Sequence, residues 1–287
     1  MSVSAANAAQ SLPLPLQRCL AQWRLIADGQ PVRTHSSDLL PVRTAEGIAA
    51  IVKVPRNADE QRGSRLMQWW AGDAAPVLAV DTEGALLMIR ATGSRSLAEW
   101  SRSGRDSEAT HVLCATAARL HAPRENKLPM ELPSLRLWFR ALEPVAAAHG
   151  GLLARSHIVA LALLDDPRDE VPLHGDLHHD NVLDFGPELG WRAIDPHAVF
   201  GERGFDYANL FCNPQLPGTA RSDVALQPGI FEKRVEDAVA ASGLERRRLL
   251  QWILAYFGLS AAWFIEDGDD AALDLLVAAK AAAMLDA

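Results

Sequence analysis

The chain has 287 residues, 49% of them hydrophobic and 22% charged, with glycine and proline at ordinary levels. That composition excludes a disordered or fibrous protein and is enough for one large core or two smaller ones. The formal net charge of −8 argues against non-specific binding to nucleic acid or to an anionic membrane and suits a cationic ligand better.

The N-terminal stretch MSVSAANAAQSLPLPLQ has neither a basic region nor a long apolar run, so no signal peptide is expected, and about the first dozen residues are expected to be loosely ordered. Apolar runs stay short of the ~18 residues that span a bilayer. Cys19, Cys114 and Cys212 are odd in number, far apart and without CxxC spacing, which fits a reducing cytoplasm.

Residues 24–90 read as strand-rich. DLLPVRT and GIAAIVKVP flank the turn AEG as a hairpin, DEQRGSRLMQWWAG has helical spacing, and PVLAV and ALLMI are two further short strands around DTEG. From residue 93 the pattern becomes helical. DSEATHVLCATAARLHA starts at an N-cap candidate, Asp106 or Ser107; two helices surround HGG within 133–165; three more fall at about 228–242, 245–265 and 270–285. A strand-like island, 171–195, interrupts them. These elements predict an α+β fold of two lobes, a small antiparallel sheet with one helix over residues 1–92 and a larger, mainly helical lobe over 93–287. A cleft between such lobes is a natural ligand site.

The island opens with VPLHGDLHHDNVLDF, residues 171–185, which holds three histidines and three aspartates. Three readings compete. His174, Asp176, His178, His179 and Asp180 offer ligands to a transition metal, as in a metal-dependent hydrolase, but no second cluster of histidines exists to complete such a site. A polar surface loop is the second reading, opposed by the apolar flanks that pin the segment. The third is phosphoryl transfer. Protein kinases use H-R-D-x-x-x-x-N, in which Asp takes the acceptor proton and Asn holds a metal ion, followed after a short hairpin by a second metal-binding Asp. His174, Asp176 and Asn181 stand at those offsets, Gly175 replaces the Arg, and Asp195 closes the apolar strand WRAIDP.

That reading requires a lysine on a small-lobe strand to bind the α and β phosphates. Among 28 basic residues only four are lysines, and only Lys53 lies in a strand-like run, IAAIVKVP. A strand-edge lysine reaching into water is the alternative. Glu60, early in the next helix, is its expected partner and Asp59 the second choice.

LHGDLHHDNVL with WRAIDP, together with AAIVKVP, GERGFDYANLFCNP and RRRLLQWILAYFGLSAAWF, resembles the aminoglycoside phosphotransferases, in particular their streptomycin 6-kinase and hydroxyurea phosphotransferase branch. The resemblance covers most of residues 30–285. It implies a protein-kinase-like bilobal fold, ATP with Mg²⁺ as cofactors, and transfer of the γ-phosphoryl group to a hydroxyl of a small, streptomycin-like molecule. Asp176 would be the catalytic base, Asn181 and Asp195 the Mg²⁺ ligands, Lys53 the phosphate-binding residue, and Asp206 a brace for the catalytic loop. The small lobe lacks G-x-G-x-x-G, and Ser36 and Ser37 in THSSDL are candidates to cover the phosphates, a plain turn being the alternative. Arg90 in the segment MIRATG is unusual for a nucleotide hinge. For a cationic acceptor, the acidic and aromatic run AAWFIEDGDD offers Trp263, Glu266 and Asp267, with a solvated inter-helix loop as the other reading. The expected protein is a cytoplasmic monomer or homodimer with a small-molecule substrate and neither nucleic acid nor membrane as partner. A kinase of an endogenous sugar or amino alcohol, and a non-catalytic nucleotide-binding pseudokinase, are the competing functions.

Overall fold

A computed structural model describes residues 12–211, 213–215 and 223–287; the expected loose order of the N-terminus, and Cys212, lie outside the described residues. The chain divides into two compact units, Met1–Gly93 with Asp184–His197, and Ser94–Leu183 with Ala198–Ala287.

The first unit is an antiparallel sheet with a helix on each face. Its strands are β1 (Ile26–Ala27), β2 (Val32–Arg33), β3 (Ser37–Arg43), β4 (Ala49–Pro55), β5 (Val77–Val80) and β6 (Leu86–Ile89), in the order β1-β3-β4-β6-β5 with β2 also paired to β3. Strand alternation explains the two faces. Leu40 and Val42 of β3 and Ala50 and Val52 of β4 point to one side and pack with Leu87 against Leu16 and Cys19 of helix α1 (Leu14–Gln22), which the sequence pattern does not reveal. Lys53 is one residue out of phase with Ala50 and Val52, so its side chain is on the other side, beside helix α2 (Ala58–Trp70). Asn57 starts α2 as its N-cap, its side chain accepting from the Glu60 N–H at 2.9 Å, and Ala71 ends it in a left-handed conformation.

Two hydrogen bonds tie the later segment to this sheet: Ala75 N–H to the Ala193 carbonyl and Gly93 N–H to the Asp184 carbonyl, each 2.9 Å. Strand β9 (Trp191–Ala193) lies in that segment, after a turn closed by Phe185 N–H on the Gly190 carbonyl at 2.8 Å. Helix α2 crosses the segment at Gly63, where an added Cβ would fall 2.3 Å from the Pro196 carbonyl oxygen. Only glycine allows that approach.

The second unit is mainly helical: α3 (Leu97–Arg102), α4 (Asp106–His121), α5 (Leu135–Trp138), α6 (Leu142–His149), α7 (Gly151–Asp165), α8 (Gly204–Ala208), α9 (Ile230–Ser242), α10 (Arg246–Asp267) and α11 (Ala272–Asp286). The N-cap of α4 is Arg105, not Asp106 or Ser107, and the two acidic residues of its first turn complement the helix dipole. Strands β7 (Glu170–Leu173) and β10 (Val199–Glu202) pair antiparallel, Leu173 opposite Val199, and β8 (Val182–Asp184) carries the chain out of this unit. Among the described residues α10 is the one helix long and apolar enough to cross a membrane; 67% of its apolar window is buried inside the protein, as in a core helix. It is anchored by buried Glu202 at the end of β10, which accepts from Arg248 Nε at 2.9 Å and from Trp252 Nε1 at 2.7 Å.

Candidate active site

In the first unit the Lys53 ammonium pairs with both the Glu60 and the Asp195 carboxylates. Lys53 is buried, its side chain 9% exposed, whereas that of Asp195 is 47% exposed. The carboxylate of Asp195 thus reaches the ammonium with one side and solvent with the other. Asp195 has φ +62°, a left-handed conformation that aspartate tolerates better than most residues and that is common where a side chain is aimed at a site. Asp59 does not share this cluster; it is exposed and pairs with Arg62 at 2.5 Å. Ser36 donates its hydroxyl to Glu60, so it steadies the lysine's partner. The Ser37 side chain is buried, and its Oγ has no partner. Arg90 turns to Asp28, Nη2 donating to Oδ2 at 2.6 Å.

In the second unit the loop after β7 is held from below by Asp206 of α8, which is fully buried. Its Oδ2 accepts from the His174 N–H at 2.9 Å and lies 2.8 Å from His121 Nε2 on α4; its Oδ1 accepts from the Gly175 N–H at 2.8 Å. Burial alone would raise the Asp206 carboxyl, but the hydrogen bond and charge of His121, the charge of His174 and the Gly175 N–H outweigh it and hold it below the ordinary value of 3.8. Both loop N–H groups can meet one carboxylate because Gly175 adopts φ +81°. The glycine that replaces the kinase arginine is therefore a backbone requirement of this loop.

Asp176 emerges half-buried from that support. Asn181 donates its amide to the Asp176 carbonyl at 2.8 Å and to Oδ2 at 3.0 Å, and Asn209, just after α8, donates to Oδ1 at 3.4 Å. With its nitrogen so used, Asn181 turns its carbonyl oxygen away from Asp176. His178 accepts the Asp180 N–H on Nδ1 at 3.2 Å, which leaves the ring proton on Nε2, 3.5 Å from Asp176 Oδ2. His179 points inward and is 2% exposed; burial, then the charges of Arg234, His178 and Arg102, hold its imidazole well below the usual histidine range, so it is neutral. Among the described residues no group of three or more His, Cys, Asp or Glu side chains is arranged to hold a metal ion.

Trp263 is half-buried near the end of α10 and packs edge-on against Trp138, ring centroids 5.8 Å apart; Trp138 in turn meets Phe205, the neighbour of Asp206, at 6.0 Å. Glu266 and Asp267 are exposed on the last turn of α10. Sequence reasoning missed Gly63, His121 and Asn209. A glycine inside an otherwise good helix was the available signal for the first; nothing local distinguishes the other two.

The fold is that of the protein-kinase-like small-molecule kinases. A choline/ethanolamine kinase family protein from Mesorhizobium loti has the same fold, with a TM-score of 0.63 over 99% of this chain and 94% of that one at 17% identity. Residues 22–268 match the aminoglycoside/hydroxyurea antibiotic resistance kinases. Streptomycin 3''-kinase of Klebsiella pneumoniae is 51% identical over 271 residues, 93% of this chain and all of that one; streptomycin 6-kinase of Streptomyces griseus is 30% identical over 276 residues, 90% and 84% of the two chains. The chain belongs to the aminoglycoside/hydroxyurea antibiotic resistance kinase family and is an antibiotic-modifying kinase. Kinases of this family use ATP, and the antibiotic kinases among its relatives act on small molecules.

Proposed function

We propose that this protein transfers the γ-phosphoryl group of ATP to a hydroxyl of a streptomycin-like aminoglycoside, with Asp176 as the base. The observation that carries the reading is the Lys53 ammonium joined to Glu60 and Asp195, the arrangement that a phosphate-binding lysine requires. Lys53 binds the α and β phosphates. Glu60 fixes the lysine and is itself steadied by Ser36; the backbone of Ser37 is engaged by Thr34, its N–H donating to Thr34 Oγ1 at 3.0 Å, so Ser37 is not placed on the phosphates. Asp195 and Asn181 offer only carboxylate and amide oxygens, a donor set that suits Mg²⁺. Asn181 and Asp195 would hold that ion, which would supply positive charge to offset that of the phosphates. Asp176 orients the acceptor hydroxyl and takes its proton, and the Asn181 and Asn209 amides keep its carboxylate in position.

The acceptor position we propose is the 3''-hydroxyl, since the relative that is 51% identical is a 3''-kinase. The 6-hydroxyl is the second reading, supported by the 30% identical 6-kinase. Net charge −8, buried Cys19 and Cys114 thiols and an α10 that is mostly buried support a cytoplasmic enzyme for a cationic small molecule, monomeric or homodimeric, without nucleic acid or membrane as partner. The test is ADP release with streptomycin, other aminoglycosides and small hydroxylated amines, followed by NMR assignment of the phosphorylated carbon. Asp176→Ala is expected to lose ~10²–10⁴ in kcat while still binding ATP. Full turnover by that variant would refute the role of Asp176, and ADP release with sugars or amino alcohols alone would refute the acceptor class.

A further inference from the structure

The carboxylate of Asp176 ends in a soft, roughly two-fold torsion, so the donors around it decide where its oxygens point. Asn181 supplies a bond of ordinary length, 3.0 Å to Oδ2. Asn209 supplies a longer contact, 3.4 Å to Oδ1, outside the usual range of about 2.7–3.2 Å. One good bond gives the carboxylate a pivot without fixing its plane. Another group stands beside it: His178 Nε2 lies 3.5 Å from Oδ2, the oxygen that Asn181 already holds.

That ring is fixed from behind. Its Nδ1 accepts the Asp180 N–H at 3.2 Å, and the His178 carbonyl accepts the Asn181 N–H at 3.0 Å, so one tight turn carries the carboxylate, the ring and the Asn181 amide. A neutral imidazole that accepts on Nδ1 carries its proton on Nε2, which makes the atom facing Oδ2 a donor. The His178 side chain is 16% exposed and that of Asp176 31%, so both open to solvent, from which an acceptor can arrive. Hydrogen bonds to an sp² oxygen lie near the plane of its lone pairs, and two donors on Oδ2 therefore define the carboxylate plane where one does not.

We propose that His178 is a positioning residue for phosphoryl transfer: its Nε2–H, together with the Asn181 amide, sets the plane of the Asp176 carboxylate toward the acceptor hydroxyl. This rests on the reading of Asp176 as the base. The His178 contact is longer than a closed hydrogen bond, as catalytic contacts often are before substrate binds, and it shortens when the acceptor hydroxyl bonds to the carboxylate. The acceptor proton goes to Asp176 and the His178 proton stays on Nε2, so the histidine acts through geometry.

Three substitutions in the full chain separate this role from that of a ring that merely caps the turn. His178→Gln places an amide donor near the Nε2 position and gives up the acceptor for Asp180. His178→Asn keeps an acceptor near the Nδ1 position and gives up the donor to Asp176. His178→Phe keeps the ring and gives up both. With streptomycin as the first acceptor, His178→Phe and His178→Asn are expected to lose about tenfold to a hundredfold in kcat and His178→Gln to stay within about fivefold of the wild type, all three keeping the KM for ATP and for streptomycin within about twofold. Adding His178→Phe to Asp176→Ala is expected to cost nothing beyond Asp176→Ala alone, because the ring acts through that carboxylate. Rescue by Asn rather than Gln, with kcat following Tm, would overturn the proposal in favour of a cap. A raised streptomycin KM at unchanged kcat would overturn it in favour of direct contact with the acceptor. Full turnover by Asp176→Ala, or a wild type inert toward every acceptor, would remove the proposed function and the positioning role together, whereas an inactive Asp176→Ala beside indifferent His178 variants removes only the latter.

Discussion

Asp206→Asn tests the support under the catalytic loop. The carboxylate receives two backbone N–H groups on different oxygens and His121 on one of them. An amide has one acceptor and one donor end. If its oxygen faces His174 and His121, its NH₂ meets the Gly175 N–H donor to donor at about the observed 2.8 Å. If it is turned round, the NH₂ meets the His174 N–H. Either way one charge-assisted bond, about 1.5–3 kcal/mol, is lost and a buried donor is left unpaired at about 1–3 kcal/mol. The expected destabilisation is about 3–5 kcal/mol, a Tm lower by roughly 10 °C. The sign with pH follows from the lowered Asp206 value: the wild type holds this advantage in full above the ordinary carboxylate value of 3.8 and loses it as pH falls through the lower folded value, so the two proteins converge in acid. Urea unfolding of both at pH 7 and pH 3 reads the gap, and kcat at pH 7, expected to fall at least tenfold with KM for ATP little changed, reads the loop. A gap below about 1 kcal/mol at pH 7, or one that widens in acid, would refute the reasoning.

Lys53→Met is expected to raise the KM for ATP at least tenfold and to leave acceptor affinity unchanged; nucleotide titration by calorimetry checks it, and an unaltered ATP affinity would remove Lys53 from the nucleotide site. Gly63→Ala, which in an ordinary helix interior stabilises by about 1 kcal/mol, is expected here to lower Tm and raise the KM for ATP, because the methyl group displaces α2, which carries Glu60, from the Pro196 carbonyl. A gain in Tm would show that the helix yields without consequence. Burial, moderated by the Ala225 N–H and Arg234, holds Asp223 at about 6 against an ordinary 3.8, so the folded protein binds that proton more tightly than the unfolded chain. Stability from this group is full below 3.8 and is lost as pH rises through about 6, a difference of about 3 kcal/mol by neutral pH. Asp223→Asn should accordingly equal the wild type near pH 4 and exceed it at pH 7.5 in urea melts; a pH-independent difference would refute the shift.

Much of the site was legible because its chemistry is written in short spacings. The offsets from His174 through Asp176 to Asn181, and the apolar strand ending in Asp195, are local, and a rare lysine in a strand run pointed to Lys53. Strand alternation then decided which face Lys53 occupies. The unreadable parts depend on distant packing. Nothing near His121 indicates that it meets an aspartate 85 residues later, and nothing in HHD indicates that His178 lies beside Asp176 while His179 is buried. Helix α1 was missed because its mixed, proline-bearing sequence gains its order from the sheet face that it covers. At the acidic end of α10 the charge of Glu266 and Asp267 was visible in sequence and their solvent exposure was not.

The first unit is not one continuous piece of chain: Asp195, one of the two acids on Lys53, arrives from a stretch encoded long after the sheet ends. A chimera that exchanges only the first 93 residues with a relative would mate a foreign Lys53 and Gly63 with a resident Asp195 and Pro196. Grafting nucleotide specificity between such kinases therefore calls for transplanting 184–197 along with the sheet, and recombination at a single crossover would tend to yield proteins that fold yet do not turn over.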